Sequence, residues 1–218
     1  MKIATWNLER PNKSTSKNQT IIDCLTKINA DILILTETNE IINLGNSYNC
    51  FHTSKLEEPY YKNGERRVSI YSKYDFIEDF ITFRADTSIC IKLKTPLGEL
   101  AVYGTVIGTH GNRSESFIAD LDEQLIDFNR IAKANSFCIS GDLNITFADN
   151  YYYTKEGREK LNASFENLNL INLTANIPEN IDHIVLTKTF VGERQPKIET
   201  WNMDKKLSDH IGISIELI

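Results

Sequence analysis

The chain opens on a short apolar segment, Lys2 to Trp6, that reads as a strand and runs into a polar turn, Asn7-Leu8-Glu9-Arg10-Pro11-Asn12. Apolar residues then recur at Ile21, Ile22, Leu25 and Ile28, the spacing of one helix face, before Ala30-Asp31 leads into the fully apolar run Ile32 to Leu35, a second strand. Asn7 and Glu37 stand at corresponding carboxyl ends of these two strands. Further on, Arg67 to Ser72, Phe76 to Phe83, Ser88 to Leu93 and Leu100 to Tyr103 read as strands, with Pro96-Leu97-Gly98 turning between the last two. Short connections of this kind favour antiparallel pairing. Leu121, Leu125, Phe128 and Ile131 place a helix over Ser116 to Ala132, Phe137 to Ser140 follows as a strand, and a helix from Lys155 to Leu168 precedes strands at Ile184 to Leu186 and Ile211 to Ile218. Helices separated by groups of strands predict two mixed, mainly antiparallel sheets packed face to face with helices outside, a four-layer α/β sandwich. No repeat, linker or low-complexity tract divides the chain, so residues 1–218 are expected to form a single domain.

Composition narrows the function classes. Hydrophobic residues make up 41% and charged residues 25%, as in an ordinary globular protein. No apolar run reaches the roughly 20 residues of a membrane span, and the first residues lack the apolar stretch of a secretory signal. No membrane insertion is therefore expected, and a cytoplasmic monomer is the default. Cys24, Cys50, Cys90 and Cys138 are widely spaced with no CxxC pair, which argues against zinc and for mostly reduced, buried thiols. A net charge of −6 weighs against a broad basic face for nucleic acid, while leaving room for a local basic loop.

Six apolar strands end in polar residues: Thr5-Trp6-Asn7, Thr36-Glu37, Val102-Tyr103-Gly104-Thr105, Gly141-Asp142-Leu143-Asn144, Ile181-Asp182-His183 and Ser208-Asp209-His210. Singly, each is what a turn or cap supplies. In this order, across nearly the whole chain, they resemble the endonuclease/exonuclease/phosphatase superfamily. That resemblance implies the four-layer sandwich already deduced and a phosphoester hydrolase dependent on Mg²⁺, with Mn²⁺ as substitute. A phosphodiester is a shielded anion, and a hard cation held by oxygen ligands offsets the charge that develops on it.

The resemblance implies a role for each matching residue. Glu37 becomes the leading metal ligand, Asn7 a neutral ligand or an orienting group beside it, and Asp209 faces the metal. Asp142 activates the attacking water, alternation along an extended segment lets Asn144 face the same site, and Gly141 allows close backbone approach. His210 stabilises charge or protonates the leaving oxygen, held by Asp182, which raises its pKa. Tyr103 takes the phosphate-contacting position, with His110 as an alternative donor from its loop. The competing structural readings are a salt bridge for Glu37, an Asx-turn for Asp142, a surface imidazole for His210 and a core aromatic for Tyr103. His183 should point away from the site, and His52 lies on the surface.

Cations available to phosphate are few. Arg113, Lys155 and Arg158 join His110 as candidate substrate-binding residues, and Arg10, Lys13, Arg66 and Arg67 are further basic side chains. Tyr151-Tyr152-Tyr153 offers either stacking surface for bases or helix-start packing. Nucleic acid, the commonest substrate the resemblance implies and one the tyrosines could stack on, is the first expected substrate, a small phosphorylated metabolite or lipid headgroup the second, and a non-catalytic binding module the third reading.

Overall fold

A computed structural model describes residues 1–13, 15–57 and 59–218. The first sheet is built from β1 (Lys2–Asn7), β2 (Ile32–Asn39), β3 (Asn49–His52) and β4 (Glu65–Ser72), with helix α1 (Ser16–Ile28) crossing between β1 and β2. The second contains β5 (Asp75–Phe80), β6 (Ser88–Thr95), β7 (Gly98–Val106), β8 (Phe137–Asp142), β9 (Leu170–Asn172) and β10 (Asp182–Thr187), with α2 (Phe117–Ala132) and α3 (Lys155–Asn167) beside it. After the short α4 (Lys188–Val191) the chain returns to the first sheet as β11 (Pro196–Trp201) and β12 (Gly212–Leu217). Among the described residues each sheet has six strands, ordered β11-β12-β1-β2-β4-β3 and β5-β6-β7-β8-β10-β9. In each, one parallel pair, β1 with β2 and β7 with β8, sits among antiparallel neighbours.

Three apolar cores make the layers. Ile32 and Ile34 of β2 meet Val102 and Cys138 between the sheets, while the alternate residues Leu33 and Leu35 pack against Ile21 and Leu25 of α1. On the far side Phe137 and Ile139 of β8 lie against Phe117, Leu121 and Phe128 of α2 and Leu161 and Phe165 of α3. The four-layer arrangement is therefore the one expected. Helix ends follow their caps: Thr15 accepts the Asn18 N–H, Thr154 accepts the Gly157 N–H, and Asn29 closes α1 at φ +51°. No helix among the described residues is long and apolar enough to cross a membrane.

Four elements escape the sequence pattern: β3, β9, α4 and β11. Three of these are strands at sheet edges, where β3 and β11 are largely exposed and carry charged or polar residues. The segment expected as Phe76 to Phe83 ends at Phe80. All four cysteines are free, with Cys90 and Cys138 buried as expected, Cys24 half-buried and Cys50 exposed.

Candidate active site

Strand register brings the polar segments to one end of the sandwich. The carboxyl ends of β1, β2, β7 and β8 run parallel in their pairs, so Asn7 lies opposite Thr36 and Val106 opposite Asp142. The antiparallel strands β10 and β12 begin at that same end. Asp182 therefore pairs with Asp142, and the Asp209-His210 segment arrives beside β1. Glu37, Asp142, Asn144, Asp182, Asp209 and His210 border a cavity of about 410 Å³ there.

Its floor is a buried chain of hydrogen bonds. Asn7 Nδ2 donates to Asp142 Oδ2 at 3.3 Å, while its Oδ1 accepts the Glu9 N–H at 2.9 Å. Asn7 thus contacts Asp142 directly, a partner its motif does not reveal. Asp142 Oδ1 accepts the Asn144 N–H at 2.9 Å, so the Asx-turn exists and still leaves the carboxylate in the cavity wall. Asn144 sits past the end of β8 at φ +54°, and a turn, not strand alternation, brings it alongside Asp142. Its Nδ2 donates to the carbonyls of Ile107 and Gly108 at 2.9 and 3.3 Å, which fixes the loop carrying His110. Gly141 is obligatory: at φ +130° a Cβ would lie 2.1 Å from the Thr105 carbonyl oxygen.

Asp182 is 1% exposed and its Oδ2 lies 2.6 Å from His210 Nδ1. Burial by itself lowers the imidazole pKa, but the charge and hydrogen bond of Asp182, with Asp142 and Asp209 adding, raise it to about 10. His210 is accordingly an imidazolium at neutral pH. The Asp142 pKa is raised as well: burial, then the neighbouring Asp182 charge, push it up from the usual carboxylate range. The His210 backbone is held as firmly as its ring, its carbonyl accepting from Trp6 Nε1 at 3.0 Å and Asn202 Nδ2 at 2.7 Å.

Glu37 borders the cavity at φ +43°, an uncommon conformation for a side-chain-bearing residue, and pairs with Arg10 Nε at 2.9 Å. The salt bridge and the position in the site coexist. Asp209 projects outward, its side chain 71% exposed and its Oδ1 3.7 Å from His210 Nε2. The donors suit a hard cation: they are carboxylate and amide oxygens, and the buried Asp182 Oδ1 has no hydrogen-bond partner among the described residues. Among the described residues no three Asp, Glu, His or Cys side chains form a ready cage. A cation here would keep waters and share substrate oxygens, as magnesium does.

Several expected residues lie elsewhere. Tyr103 is fully buried among Phe128 and Phe137, its OH 3.0 Å from Ser88 Oγ and donating to Asp127 Oδ2 at 3.0 Å, so it is a core residue and does not reach the cavity. Alternation along β7 turns it toward α2. Arg158 stacks 3.7 Å over Tyr153 and donates to Asn150 Oδ1 and the Asp149 carbonyl, bracing the 146–150 loop. Lys155 is 85% exposed beside Glu159 on α3, and neither it nor Arg113 borders the cavity. Arg66 is tied to Glu40 and the Thr53 carbonyl.

His110 does border the cavity, as do Tyr151 and Tyr152, whereas Tyr153 packs against the α3 core. His183 is buried and structural, as expected: Nε2 donates to the Ile145 carbonyl at 2.9 Å and Nδ1 accepts from the Asn172 amide at 3.3 Å. His52 is half-buried, with Nδ1 2.7 Å from Ser69 Oγ. Lys205, Glu179 and Asn180 border the cavity without any sequence motif to mark them.

Comparison with known proteins agrees with this geometry. The profile of the Endonuclease/Exonuclease/phosphatase family matches residues 4–210. Among solved structures, an AP endonuclease from Archaeoglobus fulgidus superposes with a TM-score of 0.72 at 16% identity, covering 100% of this chain and 99% of that one. A variant of the 3' phosphatase NExo from Neisseria, bound to product DNA hairpin, gives 0.72 at 14% identity, with 100% and 99% covered. The human Nocturnin catalytic domain with bound sulfate anion gives 0.71 at 15% identity, with 99% and 92% covered. At these identities the likeness is one of fold. No curated protein matches by sequence.

Proposed function

The chain belongs to the Endonuclease/Exonuclease/phosphatase family of phosphoester hydrolases, and on that footing we propose that it is a Mg²⁺-dependent phosphodiesterase acting on nucleic acid. The observation that carries this reading is the buried Asp182–His210 pair, 2.6 Å apart, set beside Asp142 in the wall of an acidic cavity. Glu37 and Asp209 would hold the cation. When bound, it supplies Lewis-acid stabilisation of charge on the phosphate oxygens.

The remaining work falls to the chain's own groups. Asp142, oriented by Asn7 Nδ2 and the Asn144 N–H, accepts the proton of the attacking water, and its raised pKa brings it toward the neutral range in which a general base is most effective. His210, cationic and fixed by Asp182, donates from Nε2 to the phosphate as negative charge builds, and is the proton source for the leaving oxygen. Tyr151, 60% exposed at the rim, offers a face on which a base can stack.

A second reading, hydrolysis of a small phosphorylated metabolite or headgroup, is favoured by one specific observation. Arg113, Lys155 and Arg158 all stand away from the cavity, and a long polyanion needs such contacts along its backbone. Turnover in Mg²⁺ of a labelled single-stranded oligonucleotide, a plasmid, an RNA and a panel of phosphomonoesters separates the two. Cleavage of any nucleic acid sustains the first reading, while phosphate release from small esters with all nucleic acids intact replaces it with the second. The absence of hydrolysis of every ester overturns both.

A further inference from the structure

Lys205 is the one lysine or arginine that borders the cavity among the described residues, facing a wall that includes Glu37, Asp142, Asp182 and Asp209. It has no acidic partner among the described residues, whereas its neighbour Lys206 is engaged with Asp204 at 2.6 Å. Adjacent residues of one turn thus differ: one cation is neutralised locally and the other is presented at the site.

The turn itself is built to hold that presentation. Asn202 Oδ1 accepts the Leu207 N–H at 3.0 Å, and Asn202 Nδ2 donates to the carbonyls of Ser208 at 2.8 Å and His210 at 2.7 Å. The Lys205 N–H closes the turn onto the Asn202 carbonyl at 2.9 Å. Both Asn202, at φ +57°, and Lys205, at φ +53°, occupy the left-handed region. Asparagine is common there and lysine is not, so Lys205 keeps an uncommon backbone conformation that an asparagine would adopt more easily. The same Asn202 amide braces the His210 carbonyl, so the lysine and the imidazolium are tied to one hub.

We infer that Lys205 is the substrate's phosphate-binding cation, and that the Asn202-centred turn presents it in fixed relation to His210. This rests on the phosphoesterase reading of the same site. An ammonium donates to an anionic oxygen without needing the bidentate geometry of arginine, so the contact belongs equally to substrate and transition state and acts on binding more than on turnover.

The test uses Lys205→Asn, which suits the left-handed backbone and removes the charge, with Lys205→Arg and Lys206→Asn as companions. Steady-state hydrolysis of the p-nitrophenyl ester of thymidine 5′-monophosphate in Mg²⁺ should show KM raised about tenfold or more in Lys205→Asn, as loss of a charge-assisted hydrogen bond implies. Turnover should stay within about threefold, Lys205→Arg should recover most of the KM, and Lys206→Asn should match the wild type. Calorimetric titration with thymidine 5′-monophosphate in Ca²⁺ gives a second readout that needs no turnover, with the same ranking of affinities. Unchanged KM and affinity in Lys205→Asn, or equal losses in Lys206→Asn, overturn the assignment while leaving the hydrolase reading intact. If the wild type hydrolyses no ester, the hydrolase reading fails and the calorimetric ranking alone decides whether Lys205 binds phosphate.

Discussion

Replacing Asp182 by Asn keeps the shape of the side chain and removes the charge that holds His210 protonated. In the native protein the Asp182 carboxylate, 2.6 Å from Nδ1, is the main influence opposing the effect of burial, and the imidazole titrates at about 10. Without it, burial pulls the pKa down and only the weaker charges of Asp142 and Asp209 pull it up, so the pKa falls. Each pH unit of that fall corresponds to about 1.4 kcal/mol of differential interaction between the two protonation states. The imidazolium fraction at pH 7.5 then drops, and each tenfold loss of that fraction lowers turnover about tenfold before any loss of orientation is counted. Linkage gives an independent sign. A folded-state pKa above the unfolded one contributes stability that is present below about pH 6.5 and lost as pH rises through about 10, so the wild type should lose stability over that window and the variant should not. The assay is NMR titration of the imidazole Cε1–H resonances in chelator-treated protein, where only four histidines need assignment. An Asp182→Asn resonance for His210 that titrates within about one pH unit of the wild type would refute the assignment of the shift to Asp182.

Other perturbations test other parts of the account. Asp142→Asn should fold with an unchanged urea midpoint and lose roughly 10²–10⁴-fold in kcat, as removal of a general base does; activity within a few-fold of wild type removes Asp142 from that role. Gly141→Ala places a methyl group 2.1 Å from the Thr105 carbonyl at φ +130°, and should lower stability by more than about 3 kcal/mol in chemical denaturation; a neutral outcome would show that β7 and β8 separate easily. Burial lowers the His183 pKa to about 4, outweighing its bond to Ile145, so stability should fall by up to about 3 kcal/mol as pH drops from 6.5 toward 4. His183→Gln should flatten that part of the acid limb, and an equally steep limb would place the loss elsewhere.

Much of this was readable along the chain because local pattern and tertiary demand coincide there. The run Ile32 to Leu35 is apolar on both faces since one face meets the second sheet and the other meets α1. Edge strands defeat the same reading. Lys197 and Glu199 alternate with Ile198 in β11, half paired and half solvated, which resembles a polar loop in sequence.

Within the site, residues legible from their motifs were those whose position follows from strand register, Asp142 opposite Asp182 and Asn7 at the end of β1. Tyr103 misled because a strand-end motif does not say which face a side chain takes, and this one takes the α2 face. Arg158 is consumed by the 146–150 loop, whose carbonyls no periodicity marks. Lys205 is presented by a turn fixed through one asparagine side chain, a tertiary feature without a linear signature.

The central claim, that this cavity hydrolyses phosphoesters with a bound divalent cation, is tested most directly by turnover of the p-nitrophenyl ester of thymidine 5′-monophosphate after exhaustive chelation and again after adding Mg²⁺. Turnover should be lost on chelation, recover with Mg²⁺ or Mn²⁺, and fail to recover in His210→Ala. Undiminished turnover in the chelated protein, or full recovery in His210→Ala, would contradict it.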